Sequence, residues 1–393
     1  MQTYHFTEPR ERILLGPGPS NVSPRVLQAM SLPIMGYLDP TFLKVLDEVV
    51  ELLRQVFKTS NDFTLALSGT GTSGMEASLI NLLEPGDTAV IGVNGLFGGR
   101  MADIASRCGA QVVTVPADWG RPLGVQDVEQ ALESANRPKL LAVVHAETST
   151  GIHQPLEPLG ELAQRYGALF LVDAVTTLGG MDLRVDEWGI DCCYSATQKC
   201  LGCPPGLSPI TLSPRAAEVV RKRQRPVQSF YLDLLLLERY WLTERAYHHT
   251  ASMPLVYALR EALRVALEEG LEARFQRHGR NAAGLKAGLK ALGFEILAPQ
   301  GFQADPLTAA VVPQGIDERR VRRSLLEEHG IEIGGGFGPL AGKVWRIGLM
   351  GESSTGSNVV GLLTALEELL TREGHEVAAG TGVTAALAVL AKA

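Results

Sequence analysis

The stretch FTLALSGTGTSGMEASLINLL, residues 63–83, decides the fold class of this chain. It opens with a short apolar run, Phe63 to Leu67, which is typical of a buried strand. A glycine-rich turn follows, and Met75 to Leu83 then reads as a helix that Pro85-Gly86-Asp87 ends. Strand, tight turn and helix in this order form the repeating unit of a parallel sheet, so the stretch predicts an α/β fold.

The same alternation continues along the chain on both sides of this stretch. Further strands are predicted at Thr88–Val93, Gln111–Val115, Leu140–His145, Ala168–Val172 and Asp191–Ser195, and further helices at Thr41–Phe57 and Arg100–Arg107. Continuous Val, Ile and Leu runs between helices indicate a mostly parallel sheet that is covered on both faces.

A change of pattern after about residue 215 indicates a second, smaller domain. A long helical tract runs from Leu255 through Leu289, and strand-like runs at 309–312 and 344–349 alternate with helices at 318–328 and 359–370. We therefore predict an N-terminal arm at 1–15, a large domain at 16–270 and a small α+β domain at 271–393.

The composition excludes several classes of protein. The chain has 393 residues, of which 45% are hydrophobic and 20% charged, and its net charge is −7. A negative charge without a long basic run disfavours nucleic acid as a partner. The segment Met1 to Arg12 lacks the apolar core of a signal peptide, and no apolar run is long enough to cross a membrane. We expect a cytoplasmic protein.

Five cysteines raise the question of a metal or redox site. Cys200 and Cys203 form a CxxC, and Cys192 and Cys193 lie just upstream, while Cys108 is distant. An odd count argues against a disulfide framework, and no second spaced pair is present for zinc. Buried thiols are the preferred interpretation, and we predict no metal.

The turn Ser68-Gly-Thr-Gly-Thr-Ser-Gly74 carries the first chemical signal. Its glycines spell G-x-G-x-x-G, but a dinucleotide site requires an acid at the end of the next strand, and Val93-Asn94-Gly95 offers none. Free N–H groups at a helix N-terminus can still cradle a phosphate, with Thr70 and Thr72 adding hydroxyl donors. A merely tight turn remains the alternative.

Asp173 and Lys199 carry the second and third signals. Asp173 ends the apolar run Leu169-Phe-Leu-Val and needs a partner, which could be a protonated pyridine nitrogen, a helix N-terminus or a core cation. Lys199 follows a short strand and precedes the tight turn Gly202-Cys-Pro-Pro-Gly206, which suits a lysine held inward with a depressed pKa. A phosphate cup, an acid and a lysine occur in this order, each at a strand end, and together they match the needs of pyridoxal phosphate.

With these elements the chain resembles the fold-type I, class V aminotransferases, specifically the alanine–glyoxylate and serine–glyoxylate group. The resemblance covers nearly the whole chain and is carried by Leu15-Gly-Pro-Gly-Pro-Ser20, Leu83-Glu-Pro-Gly-Asp87, His145-Ala-Glu-Thr-Ser-Thr-Gly151, Val172-Asp173, Ser195-x-x-Gln-Lys199, Pro204-Pro-Gly206, Tyr247-His-His-Thr250 and Arg346-Ile-Gly-Leu. It implies a pyridoxal-phosphate-dependent transferase fold: a large domain with a mostly parallel seven-stranded sheet, and a small C-terminal α+β domain.

The resemblance also implies a role for each matching residue. Lys199 would hold pyridoxal 5′-phosphate and move a proton, and Asp173 would keep its ring nitrogen protonated. The other implied cofactor contacts are Thr70, Gly71, Thr72 and Gln198 at the phosphate, Thr148 and Phe97 at the ring, and Tyr247 and Thr250 at the phosphate of the neighbouring subunit in a homodimer. Phe97 falls where many relatives place a tryptophan, and Arg346 would grip the substrate carboxylate. Gly36, Tyr37 and the loop 334–338 would shape the substrate pocket.

The implied reaction moves an amino group from a small amino acid, alanine or serine, to a 2-oxo acid, glyoxylate, by ping-pong kinetics. A cysteine desulfurase would need a late nucleophilic cysteine, and none follows Cys203. Ureidoglycine–glyoxylate, aspartate and pyridoxamine–pyruvate aminotransferases stay open. So does a non-catalytic module that only binds the cofactor.

Overall fold

A computed structural model describes residues 8–392 of the chain, so the first seven residues of the predicted N-terminal arm, and Ala393, lie outside the described residues. The strands in chain order are β1 (Ile13–Leu14), β2 (Phe63–Ser68), β3 (Thr88–Val93), β4 (Gln111–Pro116), β5 (Leu140–Val144), β6 (Ala146–Glu147), β7 (Ile152–His153), β8 (Leu169–Asp173), β9 (Cys192–Tyr194), β10 (Leu207–Leu212), β11 (Glu295–Ile296), β12 (Leu307–Val311), β13 (Ile331–Glu332), β14 (Gly334–Gly335) and β15 (Val344–Gly348).

The helices alternate with these strands in the first half and cluster in the second. They are α1 (Pro24–Ala29), α2 (Pro40–Phe57), α3 (Gly71–Leu82), α4 (Leu96–Arg107), α5 (Val125–Ser134), α6 (Glu157–Arg165), α7 (Pro214–Arg221), α8 (Leu234–Glu238), α9 (Met253–Glu269), α10 (Leu271–Ala291), α11 (Glu318–Glu328), α12 (Gly356–Arg372) and α13 (Thr381–Leu390). In the described part of the chain, no helix combines the length and apolar character that crossing a bilayer requires.

The central sheet has seven strands in the order β2-β10-β9-β8-β5-β3-β4. All neighbouring pairs run parallel except those of β10, which is antiparallel to both β2 and β9. Helices cover both faces, and strands such as β5 and β8 are buried along their whole length. The predicted mostly parallel α/β sheet is therefore confirmed, and the carboxyl ends of its parallel strands meet at one edge.

A second sheet of four strands, in the order β11-β12-β15-β14, belongs to the C-terminal part of the chain. It packs against α10, α11 and α12 in a separate hydrophobic core, which extends from Leu285 to Ala386 and also takes in Leu15. The main core spans Val26 to Leu263. The domain boundary near residue 270 stays a prediction, and this separation of the two cores supports it.

The helix limits differ from the sequence prediction at three informative points. The tract predicted to run from Leu255 through Leu289 is two helices, because Gly270 adopts φ 84° between α9 and α10. Helix α3 begins at Gly71, inside the glycine-rich turn, and α4 begins at Leu96 rather than at Arg100. Both early starts place helix N-termini at the carboxyl edge of the sheet.

Candidate active site

A cavity of about 170 Å³ lies at the carboxyl edge of the large sheet, beyond the ends of β2, β5 and β8. Eight of the predicted site residues line it together: Thr70, Gly71, Thr72, Phe97, Thr148, Asp173, Gln198 and Lys199. A larger cavity, of about 680 Å³, lies at the opposite edge around Trp188 and Asp191 and contains none of them. Ligands of open α/β sheets bind at the carboxyl edge, so the smaller cavity is the candidate active site.

Lys199 lies in the turn that follows β9 and points into this cavity. Burial lowers the pKa of its amine to about 8. The amine donates a hydrogen bond to the carbonyl of Pro17, and Gly18 packs so closely on the lysine side chain that a Cβ there would collide with it. A buried amine with a pKa near 8 is partly neutral at physiological pH, which is what a nucleophile or proton acceptor requires.

Asp173 ends β8 at the deep end of the cavity. Its Oδ2 accepts a hydrogen bond of 2.7 Å from the Tyr194 hydroxyl, and its Oδ1 accepts one of 2.8 Å from the Val175 N–H. Burial raises the pKa of the carboxyl to about 6, because neither contact is a cation. The sequence left a core ion pair open as a reason for Asp173, and the described residues provide none.

The opposite end of the cavity is rich in donors. Thr70 is the N-cap of α3, and the first N–H groups of this helix lack partners within it. Gly71 is required here, because a Cβ would lie 2.9 Å from the Ala196 side chain. Gln198 also lines this end of the cavity, where its side-chain NH₂ group is a further donor, while its buried Oε1 has no hydrogen-bond partner in the described part of the chain.

Phe97 and Arg100 form the wall between these ends. Both belong to the first turns of α4, and the Arg100 guanidinium lies 4.9 Å from the centre of the Phe97 ring. Arg100 also donates a hydrogen bond of 3.4 Å to the Thr72 hydroxyl. The cavity therefore combines an acid, a flat apolar wall and a cationic, donor-rich end, which fits an aromatic phosphate ester with a basic ring nitrogen.

Arg346 lies beside the cavity, on β15 of the small sheet. It is buried, and burial lowers its pKa to about 10. Its Nε and Nη1 donate to the carbonyls of Gly335 (2.6 Å) and Thr148 (3.3 Å), and its guanidinium lies 3.9 Å from the centre of the Phe337 ring. Among residues 8–392, no carboxylate forms an ion pair with it. A buried guanidinium without an anion favours a carboxylate as its ligand.

Besides Arg346, four predicted residues are absent from the lining of this cavity. Tyr247 and Thr250 are exposed, and Tyr37 packs against Tyr247 with ring centres 4.7 Å apart, while Gly36 is also exposed. His249, which lies between Tyr247 and Thr250 in the chain, connects this segment to the cavity. Its Nε2 lies 2.7 Å from the hydroxyl of Ser68, next to the turn that begins α3. Gly36, Tyr247 and Thr250 therefore lie at the surface of the chain.

Sequence reasoning missed Arg100, Pro17 and Glu147 as parts of this site. Arg100 looks like a solvated helix residue, and only the fold places it beside Thr72. Pro17 lies in a motif that the resemblance quoted without assigning a role. Glu147 is fully buried, and burial raises its pKa although Ser149, Phe97 and Gly98 donate hydrogen bonds to it. An acid inside His145–Gly151 was its only signal.

The cysteines behave as the preferred interpretation predicted. All five are buried and unpaired within residues 8–392. Burial raises the pKa of Cys200 to about 12, so its thiol stays protonated beside Lys199. Its Sγ donates a hydrogen bond of 3.2 Å to the carbonyl of Thr176, which makes it a packing residue under the lysine turn.

Known proteins resemble this chain over most of its length. The family model described as aminotransferase class-V matches residues 14–343. The (S)-ureidoglycine–glyoxylate transaminase of Bacillus subtilis is 42% identical over 96% of this chain and 95% of its own length. The alanine–glyoxylate aminotransferase of Drosophila melanogaster is 42% identical over 91% of this chain and 92% of its own. The crystal structure of alanine–glyoxylate aminotransferase from Nostoc sp. superimposes with a TM-score of 0.92 at 50% identity, over 94% of this chain and 98% of that one. This chain belongs to the class-V aminotransferase family.

Proposed function

We propose that the cavity binds pyridoxal 5′-phosphate and that the protein transfers an amino group from alanine or serine to glyoxylate. The buried Lys199 amine, facing a cavity closed by Asp173 at one end and by unsatisfied donors at the other, carries this proposal. When bound, pyridoxal phosphate supplies an aldehyde that takes up an amino group and a ring that withdraws electrons from the substrate Cα.

The residues of the chain would divide the work by position. Asp173, ionised next to a protonated ring nitrogen, would stabilise that proton by an ion pair in a buried setting. Thr70, Gly71, Thr72, Gln198 and Arg100 would hold the phosphate. Phe97 and Thr148 would contact the ring. The Lys199 amine would take the proton from the substrate Cα and deliver it to the cofactor side, so it acts as base and then as acid.

Arg346 would fix the substrate carboxylate next to Lys199. The nearby Arg322 donates a hydrogen bond of 2.7 Å to Glu318 and is already paired. A substrate with a second carboxylate would therefore find no free guanidinium at Arg322. This favours a donor with one carboxylate over aspartate. Relatives named for alanine and for ureidoglycine are equally similar to the chain at 42% identity, so ureidoglycine is the second candidate donor.

We also propose a homodimer, in which Tyr247 and Thr250 of one subunit reach the phosphate end of the other. Exposed aromatic residues support this: Phe230 and Tyr231 pack against His248 and His249, and Tyr247 packs against Tyr37. Light scattering at micromolar concentration should give the mass of two chains. A monomer that stays active on dilution would contradict the roles of Tyr247 and Thr250.

The substrate proposal is tested by a donor screen. The purified protein, loaded with pyridoxal phosphate, is given alanine, serine, aspartate or ureidoglycine with glyoxylate or pyruvate as acceptor. We expect the highest kcat/KM for alanine or serine with glyoxylate, and parallel lines in double-reciprocal plots because the two half-reactions are separate. A preference for ureidoglycine would replace the donor, and no turnover with any pair would favour a binding module.

Arg346→Gln is the matched variant for this screen. Removing one partner of a buried charge pair costs about 2–5 kcal/mol, so KM for alanine should rise about a hundredfold. Affinity for pyridoxal phosphate should change little, because Arg346 contacts the carbonyls of Gly335 and Thr148 rather than the phosphate cup. An unchanged KM would show that the carboxylate binds elsewhere.

A further inference from the structure

Helix α4 carries Phe97 and Arg100 into the cavity wall, yet its own sequence provides no N-terminal cap. Its N-cap residue is Gly95, which has no side chain, and its first turn contains no acidic residue. The first N–H groups of any helix need acceptors from outside its own hydrogen-bond ladder. For α4 these acceptors come from a distant segment of the chain.

The segment Glu147–Ser149 supplies them. Glu147 Oε2 accepts hydrogen bonds from the N–H groups of Phe97 (3.0 Å) and Gly98 (3.3 Å), and the Ser149 hydroxyl accepts one from Leu96 (3.0 Å). Glu147 Oε1 in turn accepts from the Ser149 N–H (3.1 Å) and hydroxyl (2.7 Å). Both carboxylate oxygens are thus committed, and the positive end of the helix dipole faces them.

The packing around this contact allows no substitute for it. A Cβ at Gly95 would collide with the Glu147 side chain. The N-cap position therefore has no room for a side chain that could cap α4 in place of Glu147. Thr148, between the two capping residues, lines the cavity, and its carbonyl accepts the hydrogen bond from Arg346. The segment Glu147–Ser149 therefore positions both Phe97, in the wall of the cavity, and Arg346, through the Thr148 carbonyl.

We propose that Glu147 is a positioning residue. From strand β6 it caps the N-terminus of α4 and thereby holds Phe97 against the cofactor ring. This inference rests on the proposed function, because it assumes that the cavity binds pyridoxal phosphate. Glu147 does not touch the reacting atoms itself. It acts through the backbone of Phe97, and its buried carboxylate balances the positive end of the α4 helix dipole.

The test is the affinity of the apoprotein for pyridoxal phosphate, measured by titration with visible circular dichroism of the bound cofactor. Glu147→Gln keeps the shape of the side chain but replaces one carboxylate oxygen by an NH₂ group. In one orientation this group faces the N–H groups of Phe97 and Gly98, and in the other it faces Ser149. Both positions already hold donors, so hydrogen bonds are lost either way. Losing hydrogen bonds to a buried charge should weaken binding about tenfold or more. The dichroism per bound cofactor should also change, because Phe97 no longer holds one orientation.

Glu367→Gln is the matched control. Glu367 is a buried carboxylate that caps α13 from α12 in the same way, accepting from Gly380 (2.7 Å), Gly382 (2.8 Å) and Val383 (3.2 Å), and it lies in the small domain's core region. The Glu367→Gln variant should have a lower melting temperature, as Glu147→Gln should, but its affinity for pyridoxal phosphate and the dichroism of the bound cofactor should be unchanged. Equal effects of both variants on the cofactor would reduce Glu147 to a general stabilising role and overturn the proposal.

A double-mutant cycle with Phe97→Leu identifies the path. If Glu147 acts through Phe97, Glu147→Gln should weaken binding much less in the Phe97→Leu background than in the wild type. Additive effects would overturn the proposal. If Glu147→Gln does not fold, Ser149→Ala, which removes one cap and one donor to Glu147, should still weaken binding about threefold or more, and wild-type affinity would overturn the proposal. Wild-type protein that binds no pyridoxal phosphate would instead refute the proposed function.

Discussion

Replacing Lys199 by arginine should remove transamination almost completely, lowering kcat by about 10³-fold or more. Arginine keeps the positive charge and most of the volume, but it does not lose its proton in proteins and cannot serve as nucleophile or base. The same property predicts a pH effect in the wild type. Since the pKa of Lys199 is about 8, the amine is protonated below pH 8, and uptake of pyridoxal phosphate by the apoprotein should accelerate as pH rises through this value.

The measurement combines stopped-flow uptake with borohydride reduction and peptide mapping. Reduction should fix the pyridoxyl group on the peptide that contains residue 199, and on no peptide of the variant. Lys286→Arg is the control, because Lys286 is also buried with a lowered pKa but donates to the Ala304 carbonyl in the small domain. A pyridoxyl group mapped to any other lysine would refute the assignment of Lys199.

Replacing Asp173 by asparagine should have two large effects of opposite sign. Loss of one partner from a buried ion pair costs about 3–5 kcal/mol, so kcat should fall about 10²- to 10³-fold. The apoprotein should become more stable at pH 7. Its folded carboxyl has a pKa of about 6 against 3.8 in the unfolded chain, so the folded state holds this proton more tightly, and ionisation costs up to about 3 kcal/mol once pH exceeds 6.

Thermal unfolding of the apoprotein between pH 4 and 8 checks the second effect. The gain in stability of Asp173→Asn over the wild type should grow as pH rises from 4 to about 6 and then level off. Asp191→Asn is the control, because Asp191 is a buried acid of the same sheet that is paired with Arg215 and accepts from the Phe170 N–H (2.9 Å). It should lose stability and keep catalytic chemistry. An Asp173→Asn protein with normal kcat would disprove the role of this carboxylate.

The sequence allowed the main site residues to be predicted because parallel strands bring their carboxyl ends together. Thr70 and Lys199 each come after a strand and Asp173 ends one, and knowing the strands was enough to place them at one edge. The direction of β10 was not predictable, since an apolar run carries no sign of its orientation. The contact between Phe97 and Glu147 was equally hidden, because it depends on β5 lying beside β3 in the sheet. For the same reason the start of α4 was predicted too late.

The antiparallel strand β10 has a mechanical consequence. The turn that carries Lys199 connects β9 to β10. These two strands are hydrogen-bonded to each other, and β10 is also hydrogen-bonded to β2 on its other side. Further hydrogen bonds, from Thr197 N–H to the Leu207 carbonyl (3.3 Å) and from Cys203 N–H to the Thr197 carbonyl (3.1 Å), close the base of the turn. The backbone at residue 199 is thus held in place on both sides, so any movement of the Lys199 amine between partners would come from rotation about its own methylene bonds.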